Sequence, residues 1–251
     1  MPAHQTEQEV RVQKVIASAG IASRRGAEKL IAAGLVEVNG KTVTLGQRMQ
    51  VGRDVLRVEG QRVRLSTKHQ RVVYALYKPK NCITSLNDPQ GRLTVKDFFP
   101  ETKQPLFPVG RLDYDAEGLL LLTNDGDFAQ RVIHPQYKLW KTYFVKIKGL
   151  ITPVELSKLR KGPRWHGQSH LPVRVKRIHA FNDKTWLEVS LQEGKNQQIK
   201  KMFKSLGYFV LKIKRYSIDG ITLDHLEPGR FRLLSSEEIT RLLNASEKNQ
   251  S

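Results

Sequence analysis

The feature that most constrains the fold is a series of strand-like segments after residue 71, with helical segments between only some of them. The strand-like segments read VVYALY, GLLLLT, TYFVKIKG, LPVRVKRI, TWLEVSL and FVLKIKRYSI, and the helical ones read DFAQRVIHP, TPVELSKLRKG and GKNQQIKKMFKSLG. A doubly wound α/β fold would place a helix in every connection between strands. We therefore predict an α+β fold, in which a mixed, mainly antiparallel β-sheet is flanked by helices.

A smaller unit precedes this region, and we place it at residues 8–65. Its first helical segment stops at Gly20, and the second has Ser23 as N-cap and Gly34 as its stop. Asn39-Gly40 then lies between two alternating segments, which is a strong signal for a hairpin turn. This order predicts a compact helix–helix–hairpin domain.

The remaining boundaries follow from composition. The polar stretch LSTKHQR follows a completed pattern, so we interpret residues 66–71 as a linker. The length that remains suits one further domain, which we place at residues 72–244. We expect residues 245–251 to form a disordered tail.

The charge of the chain points to a polyanionic partner. The 251 residues contain 43 Lys+Arg against 24 Asp+Glu, a formal net charge of +19. Residues 158–177 and residues 195–215 each contain seven Lys or Arg and no acid, whereas solvated faces usually mix both signs. We therefore predict that these two windows line an RNA-binding surface. The 39% hydrophobic content is sufficient for a core and argues against a disordered chain.

Cysteine content and the N-terminus indicate the compartment. Cys82 is the single cysteine, so an intrachain disulfide is excluded and a reducing environment fits. The first ten residues lack the apolar core of a signal peptide, and no apolar run has the length of a membrane span. We expect a cytoplasmic protein without a membrane partner.

Residues 110–118, GRLDYDAEG, concentrate carboxylates in this basic chain. Asp113, Asp115 and Glu117 reproduce the first half of an EF-hand calcium loop. The twelfth position of that loop would be Asn124 rather than a bidentate glutamate, and LLLLT after the acids is typical of a strand. We interpret the calcium match as accidental.

Two other interpretations remain. Acids in a basic RNA-binding protein would suit a two-metal nuclease, although no other carboxylate cluster accompanies them. Alternatively, one carboxylate is functional and the others are structural. In that case Asp115 and Glu117 are loop residues, Asn124-Asp125-Gly126 forms a turn, and Asp127 is the N-cap of the next helix.

The segment LFPVGRLDYDAEGLLLLTNDGDF closely resembles the signature of the RsuA/RluB family of ribosomal RNA pseudouridine synthases. The resemblance extends to YKPKNCITSLNDPQGRLTVKDFFP upstream, and to WKTYFVKIKG and LQEGKNQQIKKMFKSLGYFVLKIKR downstream. It implies that Asp113 is the essential carboxylate and that no cofactor or metal is needed. EGLLLLTNDGDFAQRVIHP is closer to the large-subunit branch, which implies 23S ribosomal RNA or a ribosome-assembly intermediate as partner and a monomeric enzyme.

The N-terminal unit has a resemblance of its own. VQKVIASAGIASRRGAEKLIAAGLVEVNGKTV looks like the small RNA-binding domain named after ribosomal small-subunit protein four. This likeness implies binding to structured RNA, with Arg24, Arg25 and Lys29 on the RNA-facing helix. Two arginines at a helix N-terminus are disfavoured by the helix dipole but suit a phosphate.

The family resemblance also implies the residues around Asp113. An ionised carboxylate in a closed pocket needs a cationic partner, and the family position matches Lys200, with Lys201 able to exchange roles. Tyr143 matches the tyrosine that stacks on the target base, although it shares a strand face with Val145 and Ile147, as a core tyrosine would. The remaining predicted RNA-binding residues are Arg111, Ile199 and Lys195.

Three questions stay open at this point. Asp113 either attacks carbon directly or first removes a ribose proton. The target RNA is either large-subunit 23S or small-subunit 16S ribosomal RNA. The alternative to an enzyme is a non-catalytic RNA-binding or ribosome-assembly factor with the same fold.

Overall fold

The computed structural model describes residues 9–65, 71–100, 102, 105–165 and 167–248. These residues divide into two compact units, one within residues 1–71 and 103–105 and the other within residues 72–102 and 106–251. The predicted linker lies outside the described residues except for Arg71, and so does residue 8.

The first unit is a helix pair followed by short strands. Its elements are β1 (Glu9–Arg11), α1 (Val12–Ser18), α2 (Arg24–Ala32), β2 (Val36–Val38), β3 (Lys41–Thr42), β4 (Arg48–Gln50), β5 (Leu56–Val58) and β6 (Gln61–Arg62). Strands β3, β2, β5 and β6 form one antiparallel sheet in that order, and β1 pairs with β4.

Local sequence explains these boundaries. The Ser23 hydroxyl accepts a hydrogen bond from the Gly26 amide at 3.1 Å, so Ser23 is the N-cap of α2 as predicted. Asn39 and Gly40 have φ of 52° and 77°, the left-handed pair that a tight type I′ hairpin requires. The predicted helix–helix–hairpin order is confirmed.

The second unit contains one large sheet and four α-helices among the described residues. Its elements are β7 (Val73–Lys78), a 3-10 helix (Val95–Phe98), β8 (Phe107–Val109), β9 (Glu117–Thr123), α3 (Gly126–Ile133), a second 3-10 helix (Pro135–Tyr137), β10 (Lys141–Lys148), α4 (Pro153–Arg160), β11 (Arg164–Trp165), β12 (Gln168–Ser169), β13 (Arg174–Phe181), β14 (Lys184–Leu191), α5 (Gln198–Lys204), β15 (Phe209–Ile218), β16 (Ile221–Thr222), β17 (Phe231–Leu233) and α6 (Ser236–Lys248).

The strands of the large sheet run in the order β13-β14-β10-β15-β9-β7-β17, with β16 beside β15 and β8 beside β9. Within the described part of the chain, β9 and β15 form the one parallel pair of named strands, and the other pairs are antiparallel. The predicted α+β class with a mixed, mainly antiparallel sheet is confirmed.

Strand β9 lies in the interior of this sheet, between β15 and β7, and each of its seven residues is buried. Leu119 and Leu121 pack into a core with α3 and α6, whereas Leu120 and Leu122 pack into a second core with α4 and α5. Successive side chains of a strand point to opposite faces, so helices on both sides of the sheet account for the unbroken leucine run.

Two sequence-based predictions about acidic residues of this unit are wrong. Glu117 is not a loop residue, because it begins β9 and forms an ion pair of 2.7 Å with Lys212. The N-cap of α3 is Asp125 rather than Asp127, since the Asp125 carboxylate accepts hydrogen bonds from the amides of Asp127 and Phe128.

The predicted disordered tail is wrong for residues 245–248. Helix α6 continues to Lys248, and Ser246 is buried, with its hydroxyl donating to the Leu243 carbonyl at 2.6 Å. The helix extends because this final turn still has a packed side. Residues 249–251 lie outside the described residues.

The parallel contact between β9 and β15 depends on Gly118, which is paired with Arg215. Gly118 has φ of 116°, and a Cβ there would lie 2.6 Å from the Arg215 amide nitrogen and closer still to its carbonyl oxygen. No side chain fits between two backbones at that separation. Gly118 therefore sets how closely the two halves of the sheet approach.

We predict that Gly118→Ala destabilises the protein far more than Gly91→Ala does. Gly91 also has positive φ, 67°, but its Cβ would meet nothing within 4 Å. Gly91→Ala therefore carries only the conformational cost of about 1 kcal/mol, whereas Gly118→Ala adds a backbone clash and should exceed it by about 2 kcal/mol or more. Urea unfolding of both variants measures the difference. Equal losses of stability would mean that the β9–β15 contact relaxes freely.

Candidate active site

A cleft of about 320 Å³ lies beside the parallel contact in the second unit. Six of the residues predicted from sequence line it: Arg111, Asp113, Tyr143, Lys195, Ile199 and Lys200. They come from four separate parts of the chain, namely the loop before β9, strand β10, the loop before α5, and α5 itself. The fold thus brings together residues that are as many as 89 positions apart.

Asp113 lies in the loop between β8 and β9, and two polar side chains, one half-buried and one buried, hold the main chain of this loop. The Thr84 hydroxyl donates to the Leu112 carbonyl at 2.8 Å and accepts from the Leu112 amide at 3.2 Å. The fully buried Lys78 ammonium donates to the Ala116 carbonyl at 2.9 Å. Hydrogen bonds on both sides of Asp113 therefore restrict where its carboxylate can lie.

Arg215 completes this support from strand β15. Its Nε donates to the Leu119 carbonyl at 2.6 Å, and one terminal nitrogen lies 3.5 Å from the Arg111 carbonyl. The side chain is only 4% exposed. Burial of a guanidinium is costly unless it is hydrogen-bonded, and these two carbonyls offset part of that cost, since the other terminal nitrogen is buried without a partner. Arg215 joins the two ends of the segment that carries Asp113.

Lys200 is shared by two carboxylates of this loop. Its ammonium lies 2.7 Å from both carboxylate oxygens of Asp115 and 3.6 Å from Oδ2 of Asp113. The predicted pairing of Lys200 with Asp113 is present, and Asp115 lies in the loop as predicted. The sequence did not predict that Lys200 makes its shorter contacts with Asp115.

The electrostatics of the pair agree with the geometry. Partial burial raises the pKa of Asp115, but the hydrogen bond and the charge of Lys200 outweigh it, so the net pKa lies below its ordinary value. Lys200 also lies in the first turn of α5, where the helix dipole disfavours a cation. The lysine is therefore placed at a cost to the helix, and the two carboxylates offset that cost.

Tyr143 and Ile199 form apolar walls of the cleft. Tyr143 is 8% exposed and shares its strand face with Val145 and Ile147, as the alternation predicted. It therefore packs in the core and lines the cleft at the same time. A largely buried ring beside a carboxylate is suited to stacking on a flat substrate group.

The loop before α5 is fixed by a second polar cluster. The Gln198 side chain accepts from the Lys195 amide at 3.1 Å and donates to Glu193 at 2.9 Å. His170, stacked on Trp165 with ring centroids 3.3 Å apart, has its Nδ1 3.1 Å from the Lys195 ammonium. Burial lowers the pKa of His170, and the charge of Lys195 lowers it further.

Lys141 lies at the start of β10 and also lines the cleft. Burial and the nearby positive charge of Arg215 lower its pKa to about 8. Its ammonium donates to the Leu139 carbonyl at 3.3 Å. The cleft therefore contains a lysine whose pKa lies well below that of an exposed lysine.

The other predicted residues lie elsewhere. Lys201 follows Lys200 on α5 but is not among the residues lining the cleft. Arg24, Arg25 and Lys29 are exposed on α2 in the first unit. Their predicted contacts with RNA stay predictions.

Sequence reasoning missed Thr84, Lys78, Lys141 and Arg215 as parts of the site. Arg215 was counted in a basic window expected to line an RNA-binding surface, yet its side chain is buried. One signal was present, since Arg215 is two residues from Ile213 and alternation places both on the same strand face. Thr84 and Lys78 bond to the main chain, and no residue pattern marks such contacts.

The acids of residues 110–127 point in different directions. Asp113 and Asp115 contact Lys200, Glu117 contacts Lys212 on the other face of the sheet, and Asp125 caps α3. Among the residues that the structure describes, no group of three His, Cys, Asp or Glu side chains is placed to hold a metal ion. The acids that resemble an EF-hand loop in the sequence therefore do not converge on one position where a cation could bind.

No helix in the described ranges has the length and apolar character needed to cross a membrane.

Two segments of the chain match known protein families. Residues 72–205 match the family described as RNA pseudouridylate synthase, and residues 10–55 match the S4 domain. The chain is 42% identical over 235 residues to ribosomal large subunit pseudouridine synthase B of Bacillus subtilis, which covers 92% of this chain and 95% of the relative.

Two further matches agree with these. Ribosomal large subunit pseudouridine synthase B of Haemophilus influenzae is 36% identical over 217 residues, covering 85% of this chain and 61% of the relative. A crystal structure of a pseudouridylate synthase superposes with a TM-score of 0.67 at 29% identity, covering 93% of this chain and 99% of the other.

We predict that the unfolding free energy of the wild type rises relative to Lys141→Met as the pH increases. The pKa of Lys141 is about 8 in the folded protein against 10.5 ordinarily, so between these values the unfolded chain binds more protons and increasing pH favours folding. The difference between the two proteins should shift by roughly 2 kcal/mol from pH 7.5 to pH 10.

Urea unfolding across that pH range measures this shift, with Lys96→Met at an exposed lysine as the control. A pH-independent difference between wild type and Lys141→Met would contradict the assignment.

Proposed function

The chain belongs to the RNA pseudouridine synthase family, and from this premise we propose that it isomerises a uridine of large-subunit (23S) ribosomal RNA, with Asp113 as the essential carboxylate. The names of the relatives from Bacillus subtilis and Haemophilus influenzae favour the large subunit. An RNA substrate and a cytoplasmic location fit the net charge of +19 and the single cysteine.

The observation that carries this proposal is the setting of Asp113. Its carboxylate is about one-third exposed at 31%, and an ammonium lies 3.6 Å away. The phenol ring of Tyr143 and the aliphatic side chain of Ile199 line the same cleft. Such a site offers one reactive anion, one cation to balance it, and apolar surface for a base.

These groups match the requirements of the reaction. The N1–C1′ bond of uridine breaks, the uracil turns, and a C5–C1′ bond forms while the proton on C5 is lost and N1 gains one. Atoms and electrons balance within the nucleotide, so no outside oxidant or group donor enters. The target base must leave its stack to reach Asp113, and Tyr143 offers a ring on which the uracil can rest.

Lys200 supplies electrostatic support in this scheme. The Lys200 ammonium, 3.6 Å from Asp113, balances the negative charge of this carboxylate whether it attacks carbon or removes a ribose proton. Because Lys200 also contacts Asp115, it remains within the site when no RNA is bound. We assign Arg111 and Lys195, exposed residues that line the cleft, to contacts with RNA phosphates.

We predict that Asp113→Asn abolishes pseudouridine formation and that Asp115→Asn does not. The two substitutions remove the same charge from the same loop next to the same lysine, so they form a matched pair. The Asp113→Asn rate should fall roughly 1000-fold or more, while Asp115→Asn should stay within about 10-fold of wild type. Pseudouridine is mapped by chemical modification after incubation with unmodified 23S and 16S ribosomal RNA.

Each contrary result has a distinct meaning. Equal product from wild type and Asp113→Asn would refute the assignment of Asp113. Product in 16S RNA alone would transfer the target to the small subunit. Failure of the wild type on both RNAs and on assembly intermediates would favour a non-catalytic RNA-binding factor, and magnesium-dependent cleavage would favour the nuclease.

We predict that Lys200→Met lowers kcat by about 100-fold without weakening RNA binding, because it removes one charge that stabilises the reacting carboxylate. Lys200→Arg should retain most activity, since the cation is kept. Lys201→Met removes the same charge from the adjacent helix position and serves as the control. Single-turnover rates and filter binding separate the two effects. If Lys201→Met alone reduces kcat, the two lysines have exchanged roles.

A further inference from the structure

One half of a sheet face in the second unit carries basic and aromatic side chains that the reaction does not use. Helices α3 and α6 cover this face at β7, β9 and the end of β15. The other half, formed by β10, β13, β14 and the first part of β15, includes Phe181 and Phe209, which are 67% and 71% exposed. We name this half the open face.

The strand registers place its side chains in rows across four strands. One row runs Phe209, Lys148, Lys184, Phe181, from β15 through β10 and β14 to β13. Directly opposed residues in antiparallel strands share a face, so these four side chains project together. Two exposed aromatic rings thus flank two lysines.

The next row repeats the same chemistry. It runs Lys212, Lys146, Trp186, His179 across the same strands. The Lys146 ammonium lies 5.4 Å from the centroid of the Trp186 ring. Rows on one face recur every second residue, roughly 6.8 Å apart.

The third row contains the one acidic residue of the three rows, Glu188. It places Lys214, Phe144, Glu188 and Lys176 side by side. Phe144 packs against Tyr216 with ring centroids 5.1 Å apart. Over these three rows, six lysines stand with one glutamate, so the open face is strongly positive.

This arrangement is costly for the folded protein alone. Lys148 is directly opposite Lys184, and Lys146 is directly opposite Lys212, and like charges in such positions destabilise a sheet. Lys212 is offset by Glu117 at 2.7 Å, but the contact of Lys184 with Asp183 is 3.8 Å long and exposed. A bound polyanion would relieve the repulsion that remains.

We propose that the open face binds a single-stranded segment of the substrate RNA outside the target nucleotide. Lysines would contact phosphates, and the exposed rings would stack on bases, as four-stranded sheet surfaces of this chemistry do for two or three bases. The charge complementarity and the exposed rings together select RNA as the occupant. The proposal rests on the action of the chain on RNA but not on the role of Asp113.

The open face is distinct from the cleft. Tyr143 and Phe144 are neighbours on β10, so their side chains point to opposite faces of the sheet. Lys148 lies five residues beyond Tyr143, roughly 17 Å along the strand. RNA must therefore extend well past the target nucleotide to occupy both places.

The test compares two double variants with a charge-matched control. Phe181→Ala/Phe209→Ala removes the rings, Lys148→Gln/Lys184→Gln removes two charges, and Lys96→Gln/Arg241→Gln removes two charges from exposed positions elsewhere in the unit. The probes are unmodified 23S ribosomal RNA and a short hairpin cut from it around the mapped uridine. Kd is measured at several salt concentrations and kcat at saturating RNA.

We expect each open-face variant to raise the Kd for the long RNA about 10-fold or more, with kcat and the Kd for the short hairpin unchanged. The lysine variant should also flatten the plot of log K against log salt by about 1.4, which corresponds to two lost phosphate contacts on a single strand. The control should change neither slope nor Kd to that extent.

Other results overturn the proposal. An equal loss in the control variant would mean that only total charge matters. An unchanged Kd for long RNA would leave the open face without RNA, and if modification within ribosomal particles then fell, the occupant would be a protein. The Kd for the long RNA and its salt dependence are measured without catalysis, so an inactive wild type refutes the proposed function and leaves this part of the test intact.

Discussion

The backbone approach of β9 and β15 is the constraint on which the second unit depends. At that contact Gly118 lies against the main chain of Arg215, and the Arg215 side chain turns back to the carbonyls of Leu119 and Arg111. One residue therefore joins two strands through its backbone and closes the Asp113 loop through its side chain. Arg215 of this contact also lines the cleft, with β10 and α5 supplying other walls.

Much of the fold followed from local patterns. Alternation and helical periodicity predicted the strand and helix segments, and Asn39-Gly40 predicted a turn of fixed geometry. The predictions failed where the identity of a single residue sets the end of an element. Asp125 and Asp127 can each cap a helix, and which of them caps α3 depends on where strand β9 ends. The last turn of α6 is ordered by packing between distant segments, which composition does not reveal.

The candidate site likewise contains residues that the sequence predicted and residues that it did not predict. The residues that we propose to carry the reaction stand in recognisable motifs, so their convergence on one cleft could be anticipated. Residues that hold those motifs in place, such as Thr84 and Lys78, act through backbone carbonyls and amides. Their partners depend on the three-dimensional path of the chain. The shorter contact of Lys200 with Asp115 also depends on geometry. Asp113 and Asp115 lie two residues apart in the same loop, so the sequence does not show which of them is closer to Lys200.

The double burial of β9 has a consequence for how this protein loses activity. The Asp113 loop runs directly into a strand covered on both faces, so the loop cannot open far without disturbing two cores at once. Local fluctuations of low energy belong to segments with few buried contacts, and the start of β9 is not one of them. Inactivation by heat should therefore coincide with unfolding of the whole second unit. We expect no populated intermediate in which this unit is folded but the Asp113 loop is displaced.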